Sequence, residues 1–232
     1  MEPLPIVLLP GLDGTGELFE PLVSSHPPHL IPLVIKLPHL AAYPDLFNAI
    51  RDQLPRTGTF AVLGDSFSGP LAVEIARRFP ERVVGVILCN SFVSPPRTRL
   101  LRVAPWSWLF TIRPRLWAIR LFFLNRSASS ALVSAVRAAI ASTPRSVLAA
   151  RMRAVFSLPG PEEQKPIECP CLSLCGRNDL LVRANERELR SILPRLTWVE
   201  IAAPHLLLQT VPTEAWAAIS AFLSTTAGHL TL

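Results

Sequence analysis

Three side chains that together could perform nucleophilic catalysis occur in this sequence as Ser66, Asp179 and His205. A serine hydroxyl is a poor nucleophile near neutral pH, so it needs a rigid, exposed position and a neighbouring base. Histidine can take and return a proton near pH 7, and a carboxylate behind its ring fixes the tautomer and stabilises the imidazolium. These residue types indicate acyl transfer if the fold brings them together.

The residues around Ser66 predict the position that a nucleophile needs. The apolar run 60–63 is typical of a buried strand, and an amphipathic helix is predicted from Pro70. Ser66 then lies on the sharp turn between them, where Gly64 and Gly69 allow a close approach of the backbone. The G-x-S-x-G spacing also occurs in ordinary structural turns, so the flanking strand and helix carry the prediction.

Two backbone amides are candidates for stabilising a developing oxyanion. The N–H of Phe67 lies at the predicted helix start, directly after Ser66. The N–H of Leu12 follows Gly11 in the turn P-G-L-D-G-T-G, which comes directly after the first apolar strand. This turn lacks the glycine spacing and the lysine of phosphate-binding loops, so we favour an oxyanion hole made by these two amides.

Strands alternate with helices along most of the chain, and this order predicts an α/β fold. Apolar, β-branched runs are centred near 5–9, 33–37, 60–63, 83–89, 171–175 and 197–201. We expect a mostly parallel six-stranded sheet with helices on both faces. Asp179 and His205 each follow a strand, so they would lie at the same sheet edge as Ser66. Either residue alone could equally be an ordinary turn or loop residue.

The alternation stops between Pro95 and Pro166, where helices are predicted near 106–125, 128–141 and 144–157. The 232 residues fit one domain with an insertion. We therefore expect a core of residues 1–94 and 167–232 and a helical cap of residues 95–166. The cap holds eleven Arg and one Lys against two Glu, a net charge of +10, whereas the whole chain carries +6.

Four sequence motifs resemble those of the α/β-hydrolase superfamily: L-P-G-L-D-G-T-G, G-D-S-F-S-G, G-R-N-D-L-L-V and A-P-H-L-L-L-Q-T-V-P. The similarity covers residues 5–94 and 168–224. It implies Ser66 as nucleophile, Asp179 as acid, His205 as base and the amides of Leu12 and Phe67 as the oxyanion hole. The chain departs from the family in Pro10, in Pro204 and in starting at what is usually the third strand.

The resemblance also gives the inserted helices a role, because the cap roofs the pocket in this family. On that basis the cap aromatic residues Trp106, Trp117, Phe122 and Phe123 are candidate substrate contacts. Arg113 and Arg120 are candidate contacts for acyl carrier protein or an anionic membrane surface. The alternative is that the arginines are solvated helix faces and the aromatic rings are buried faces. Nucleic acid is disfavoured, since no motif for reading it occurs.

A serine at the turn favours acyl transfer over the dehalogenase and epoxide hydrolase reactions of relatives that carry aspartate there. We expect a serine carboxylesterase that cleaves a short or medium acyl ester without metal or cofactor. One alternative is an esterase or thioesterase whose acyl group arrives on acyl carrier protein. Another is a hydrolase-fold protein that only binds its ligand.

The remaining features exclude other classes of protein. The C-x-C-x₃-C spacing of Cys169, Cys171 and Cys175 lacks the paired C-x₂-C of structural zinc sites, so no metal site is predicted. No basic stretch precedes the first apolar strand, so we expect a cytoplasmic protein rather than a secreted one. The hydrophobic window 106–124 contains three arginines and a proline, which disfavours a transmembrane helix.

Overall fold

A computed structural model describes residues 3–96, 104–110, 116–124 and 128–227 of the chain. The strands of this described part are β1 (Leu4–Leu9), β2 (Leu30–Val34), β3 (Phe60–Asp65), β4 (Val83–Cys89), β5 (Cys171–Gly176) and β6 (Leu196–Ile201). They form one sheet in the order β2-β1-β3-β4-β5-β6, in which every neighbouring pair is parallel. The predicted six-stranded α/β architecture is thus confirmed, and the sheet is parallel throughout.

The helices that cover the sheet are α1 (Glu20–Ser24), α2 (Tyr43–Ile50) and α3 (Gly69–Arg78) in the first half of the chain. The helices α8 (Glu186–Ile192), α9 (Leu207–Thr210) and α10 (Pro212–Ala227) cover it in the second half. Helix α9, which has only four residues, was not predicted from the sequence. A 3₁₀ turn occupies Glu17–Phe19, and α1 starts directly after it at Glu20. Pro21 explains this start, because its fixed φ suits the first turn of a helix.

The hydrophobic core has two layers because successive side chains of each strand point to opposite faces. On β1, Val7 and Leu9 join the layer that packs on α2, α3 and α8. Ile6 and Leu8 join the layer on the other face, which packs on α1 and α10. Burial of both faces explains why these strands read as continuous apolar runs.

Four further helices lie between β4 and β5: α4 (Trp106–Leu109), α5 (Leu116–Phe122), α6 (Ser130–Ser142) and α7 (Arg145–Phe156). We refer to the described residues 104–110, 116–124 and 128–166 as the cap. The helix expected over 106–125 corresponds to α4 and α5, and residues 111–115 between them lie outside the described residues. None of the described helices is both long enough and apolar enough to span a membrane.

Candidate active site

Ser66 lies on a tight turn between β3 and α3. Its φ is +47°, a left-handed conformation that residues other than glycine rarely adopt. A Cβ built on Gly64 would lie 2.5 Å from the carbonyl oxygen of Ser68, so only glycine permits the helix to come this close to the strand. Ser91 Oγ donates to the Ser66 carbonyl at 2.5 Å and further fixes the turn. The local sequence therefore produces the strained, rigid position that the motif predicted.

The structure brings Ser66, His205 and Asp179 into one hydrogen-bonded chain. His205 Nε2 lies 3.0 Å from Ser66 Oγ, and His205 Nδ1 lies 2.8 Å from Asp179 Oδ2. His205 and Asp179 are both buried. The three residues come from the ends of β3, β5 and β6, which meet at the carboxyl edge of the sheet.

The surroundings of Asp179 determine the tautomer of the histidine. Oδ1 of Asp179 accepts the backbone N–H groups of Leu181 at 2.7 Å and Val182 at 3.0 Å, which leaves Oδ2 for the imidazole. An ionised carboxylate only accepts hydrogen bonds, so Nδ1 of His205 must donate. Nε2 is then free to accept the proton of the Ser66 hydroxyl, as a general base requires.

Asn90, at the end of β4, holds the Asp179 and His205 loops together. Its Nδ2 donates to the carbonyls of Pro204 at 3.1 Å and His205 at 2.7 Å, and its Oδ1 accepts the Gly176 N–H at 2.6 Å. The structure gives this amide a positioning role, because a carboxylate could not donate to those two carbonyls.

The two amides expected in an oxyanion hole lie on neighbouring turns. Leu12 is a central residue of a turn closed by the Gly14 N–H and the Gly11 carbonyl at 3.0 Å. Phe67 is in the first turn after Ser66, and its carbonyl accepts the Tyr43 hydroxyl at 2.9 Å. Neither the Leu12 amide nor the Phe67 amide donates to another described residue, so both remain available to a ligand.

A small pocket of about 90 Å³ opens beside Ser66 and His205. Leu12, Asp13 and Asp65 line it from the core. The cap contributes an apolar wall made of Phe110, Phe123, Val136, Ile140 and Leu148. The pocket is therefore apolar on the cap side and polar beside the serine.

Of the cap aromatic residues singled out from the sequence, Phe123 reaches this pocket. Its ring meets the His205 ring edge-on, with the centroids 6.0 Å apart. Trp106 is instead buried within the cap, stacked on Phe156 at 5.8 Å. Trp117 and Phe122 point to solvent, with 60% and 40% of their surface exposed. Amino-acid composition alone does not distinguish exposed cap positions such as these from positions that line the pocket.

Of the two arginines expected to bind a partner, the structure describes only Arg120. Arg113 lies outside the described residues. Arg120 Nη1 donates to the carbonyl of Ala128 at 2.5 Å, so this guanidinium takes part in the internal structure of the cap.

Asp65, which precedes the nucleophile position, was not identified from the sequence. Only 5% of its surface is exposed, and no described residue donates a hydrogen bond to its carboxyl group. Burial raises the pKa of Asp65 to about 7, against the opposing effect of His205, while Asp13 and Asp179 raise it further. The signal that could have revealed it is its place inside the motif, between the buried strand and the serine.

The cysteines lie among apolar neighbours. Burial raises the pKa of Cys169 and Cys175 to about 11 and that of Cys171 well above its usual value. These groups are therefore thiols near neutral pH. Within the described part of the chain, no three His, Cys, Asp or Glu residues are grouped so as to hold a metal ion.

Comparison with solved structures identifies the fold. The chain is similar to an esterase from Thermogutta terrifontis at 20% identity and a TM-score of 0.75, covering 97% of this chain and 91% of that chain. It is similar to an enol-lactonase from Burkholderia xenovorans at 19% identity and a TM-score of 0.76, covering 97% and 92%. A putative lipase from Acinetobacter baumannii gives 15% identity and a TM-score of 0.78, covering 98% and 85%.

These similarities extend over nearly the whole chain, so the protein has the α/β-hydrolase fold, as the sequence motifs indicated. The sequence itself matches no protein-family model. No curated protein sequence matches it significantly. At identities of 20% or less the structural likeness establishes the fold alone, and the chemistry has to be argued from the site.

Proposed function

We propose that this protein is a serine carboxylesterase that hydrolyses a short acyl ester through an acyl-enzyme intermediate. The observation that carries this proposal is the hydrogen-bonded chain from Asp179 through His205 to Ser66, with links of 2.8 and 3.0 Å. Structural neighbours with this fold include an esterase and an enol-lactonase. Both activities are cleavages of an ester bond.

In the proposed reaction, Ser66 Oγ attacks the ester carbonyl while its proton moves to His205 Nε2. Asp179 stabilises the imidazolium through the hydrogen bond at Nδ1. The carbonyl oxygen becomes an oxyanion, which the N–H groups of Leu12 and Phe67 stabilise. The imidazolium then protonates the departing alcohol, and the acyl group remains on Ser66.

Water completes the cycle by the same steps in the opposite sense. His205 removes a proton from a water molecule, the resulting hydroxide adds to the acyl carbonyl, and the second oxyanion forms at the same amides. Its collapse releases the carboxylic acid and returns the proton to Ser66. No redox partner or metal ion is needed for the balance of this reaction.

The pocket favours the short end of the range of acyl groups. A volume of about 90 Å³ is well below the several hundred cubic ångströms typical of pockets for drug-sized ligands. The apolar cap wall suits an alkyl chain, and the reacting carbonyl would lie at the polar side, beside Ser66.

The test is hydrolysis of a chain-length series of p-nitrophenyl esters by the wild type and by Ser66→Ala. We expect turnover of the short esters and its loss, by at least about 10³-fold, in the variant. Both proteins should unfold at the same temperature, which serves as the control for folding. Equal turnover by the two proteins would contradict the proposal. Absence of turnover together with absence of labelling by a serine-directed phosphonate would favour the binding protein.

A second candidate is an acyl hydrolase whose substrate is delivered on acyl carrier protein. The observation that favours it is that Trp117 and Phe122 are exposed on the cap and that the sequence from residue 95 to residue 166 has a net charge of +10. A segment that combines positive charge with exposed apolar side chains suits an acidic partner protein.

A further inference from the structure

Arg151, on α7 of the cap, is a fully buried cation. Its exposed fraction is 0%. Its guanidinium donates hydrogen bonds from all three of its nitrogen atoms, each to a backbone carbonyl of the core. Nη1 donates to Leu12 at 2.7 Å, Nη2 to Pro38 at 2.7 Å and Nε to Leu40 at 3.0 Å.

No carboxylate among the described residues forms an ion pair with this guanidinium, and the nearby charge of Asp13 offsets only part of the cost of burying it. An arginine buried only for packing would leave an expensive charge in the interior. Here the planar fork of the guanidinium is matched to carbonyl groups from two separate loops of the core. Its contacts therefore define the relative positions of these loops and α7.

Both residues of the candidate oxyanion hole are in contact with Arg151. Arg151 donates a hydrogen bond to the Leu12 carbonyl. Its guanidinium carbon lies 5.6 Å from the centroid of the Phe67 ring, a distance typical of a cation–π interaction. A Cβ built on Gly14, which has a φ of +72°, would collide with the same guanidinium. The turn that presents the Leu12 amide thus closes around the arginine.

A second cap residue acts on the next carbonyl of this turn. Thr143, between α6 and α7, is buried, and its hydroxyl donates to the Asp13 carbonyl at 2.6 Å. Two consecutive carbonyls, those of Leu12 and Asp13, are therefore held by the cap rather than by the sheet that carries the turn.

We infer that Arg151 is a positioning residue through which the cap holds the Leu12 amide and the Phe67 ring in the geometry required for oxyanion stabilisation. This inference rests on the proposed esterase function. It assigns to one cap arginine a role inside the molecule, distinct from the docking of a partner. Oxyanion donors act only when they are fixed in advance at the place where charge develops. Loosening of the turn lowers kcat, whereas binding of the ester in the apolar part of the pocket changes little.

The experiment compares Arg151→Met, Arg151→Lys and Thr143→Val with Arg153→Met as the matched control. Arg153 lies two residues along the same helix, is exposed, and donates to Ser107 Oγ at 2.7 Å. Hydrolysis of a short p-nitrophenyl ester gives kcat and KM. Active sites are counted with a serine-directed phosphonate, so that kcat refers to folded protein. The Ki of an alkyl boronic acid, which forms a tetrahedral adduct with the serine, measures the oxyanion hole directly.

For Arg151→Met we expect kcat to fall about 10- to 100-fold, KM to change less than about threefold, and the boronic acid to bind more weakly by a factor similar to that in kcat. Arg151→Lys should recover part of the loss, because an ammonium can donate to some of the same carbonyls. Thr143→Val should show a smaller loss in the same direction. Arg153→Met should retain wild-type kcat and Ki.

Wild-type kcat per labelled site in Arg151→Met, with only a lower unfolding temperature, would overturn the inference and leave the esterase function intact. An equal loss in Arg153→Met would also overturn it, because the effect would then belong to the helix charge. If Arg151→Met does not fold, wild-type kcat and Ki in both Arg151→Lys and Thr143→Val overturn it. If the wild type shows neither Ser66-dependent turnover nor phosphonate labelling, the inference and the proposed function fail together.

Discussion

The buried carboxyl of Asp65 makes the stability of this protein depend on pH in a direction opposite to that of a salt-bridged aspartate. Its pKa rises from the ordinary 3.8 to about 7 in the folded protein, because burial penalises the charged form. Between roughly pH 4 and pH 7 the folded state therefore keeps a proton that the unfolded chain has released. The contribution of Asp65 to the free energy of unfolding is therefore fully present below about pH 4 and is lost as the pH rises to 7.

The size of this effect follows from the shift. A change of about three pKa units corresponds to about 4 kcal/mol, at about 1.4 kcal/mol per unit. Asp65 has 5% exposure, so little screening by solvent reduces the value. Asp65→Asn keeps the shape of the side chain and stays neutral. The substitution should remove this loss of stability without removing a hydrogen bond from a described residue.

The assay is urea unfolding of the wild type and Asp65→Asn at pH 5 and pH 8. We expect Asp65→Asn to gain about 2.5–3 kcal/mol of unfolding free energy over the wild type at pH 8, relative to pH 5, because the part of the loss between pH 4 and pH 5 is already complete at pH 5. Effects that are the same at both pH values cancel in this difference. Asp52→Asn is the matched control, since the Asp52 side chain is 82% exposed. The same pH dependence in wild type and Asp65→Asn would refute the reasoning.

Two further predictions concern the site and the cap. Asp179→Asn should keep the fold but lower kcat about 10³- to 10⁴-fold, because an amide can hold His205 in the wrong tautomer; steady-state kinetics with a short ester tests this, and a loss below tenfold would contradict it. Reversing the exposed charges with Arg137→Glu and Arg145→Glu should lower kcat/KM about tenfold for a substrate on acyl carrier protein at low salt. The effect should fade at high salt and be absent with a small ester. Equal effects on both substrates would argue against docking of the carrier by the cap.

Local sequence was sufficient for the parts of this protein that depend on neighbours along the chain. The alternation of short apolar runs with amphipathic segments indicated the six-stranded α/β sheet, since strands buried on both faces have this composition. The turn at Ser66 was predictable because Gly64 and the following helix restrict the backbone locally. Asp179 and His205 were predictable because each follows a strand, and the ends of parallel strands meet at one edge.

The tertiary structure alone decided which side chains meet across distant segments. Asp65 lies inside a local sequence motif, but its pKa is raised because elements far away in the sequence bury it. Arg151 was one of eleven arginines between residues 95 and 166, and nothing in its local sequence separates it from the exposed Arg153. Three carbonyls from two core loops set it apart, and these contacts span more than a hundred residues of chain. Periodicity reports which face of an element is apolar, whereas the partner of a buried charge is fixed only when the elements pack.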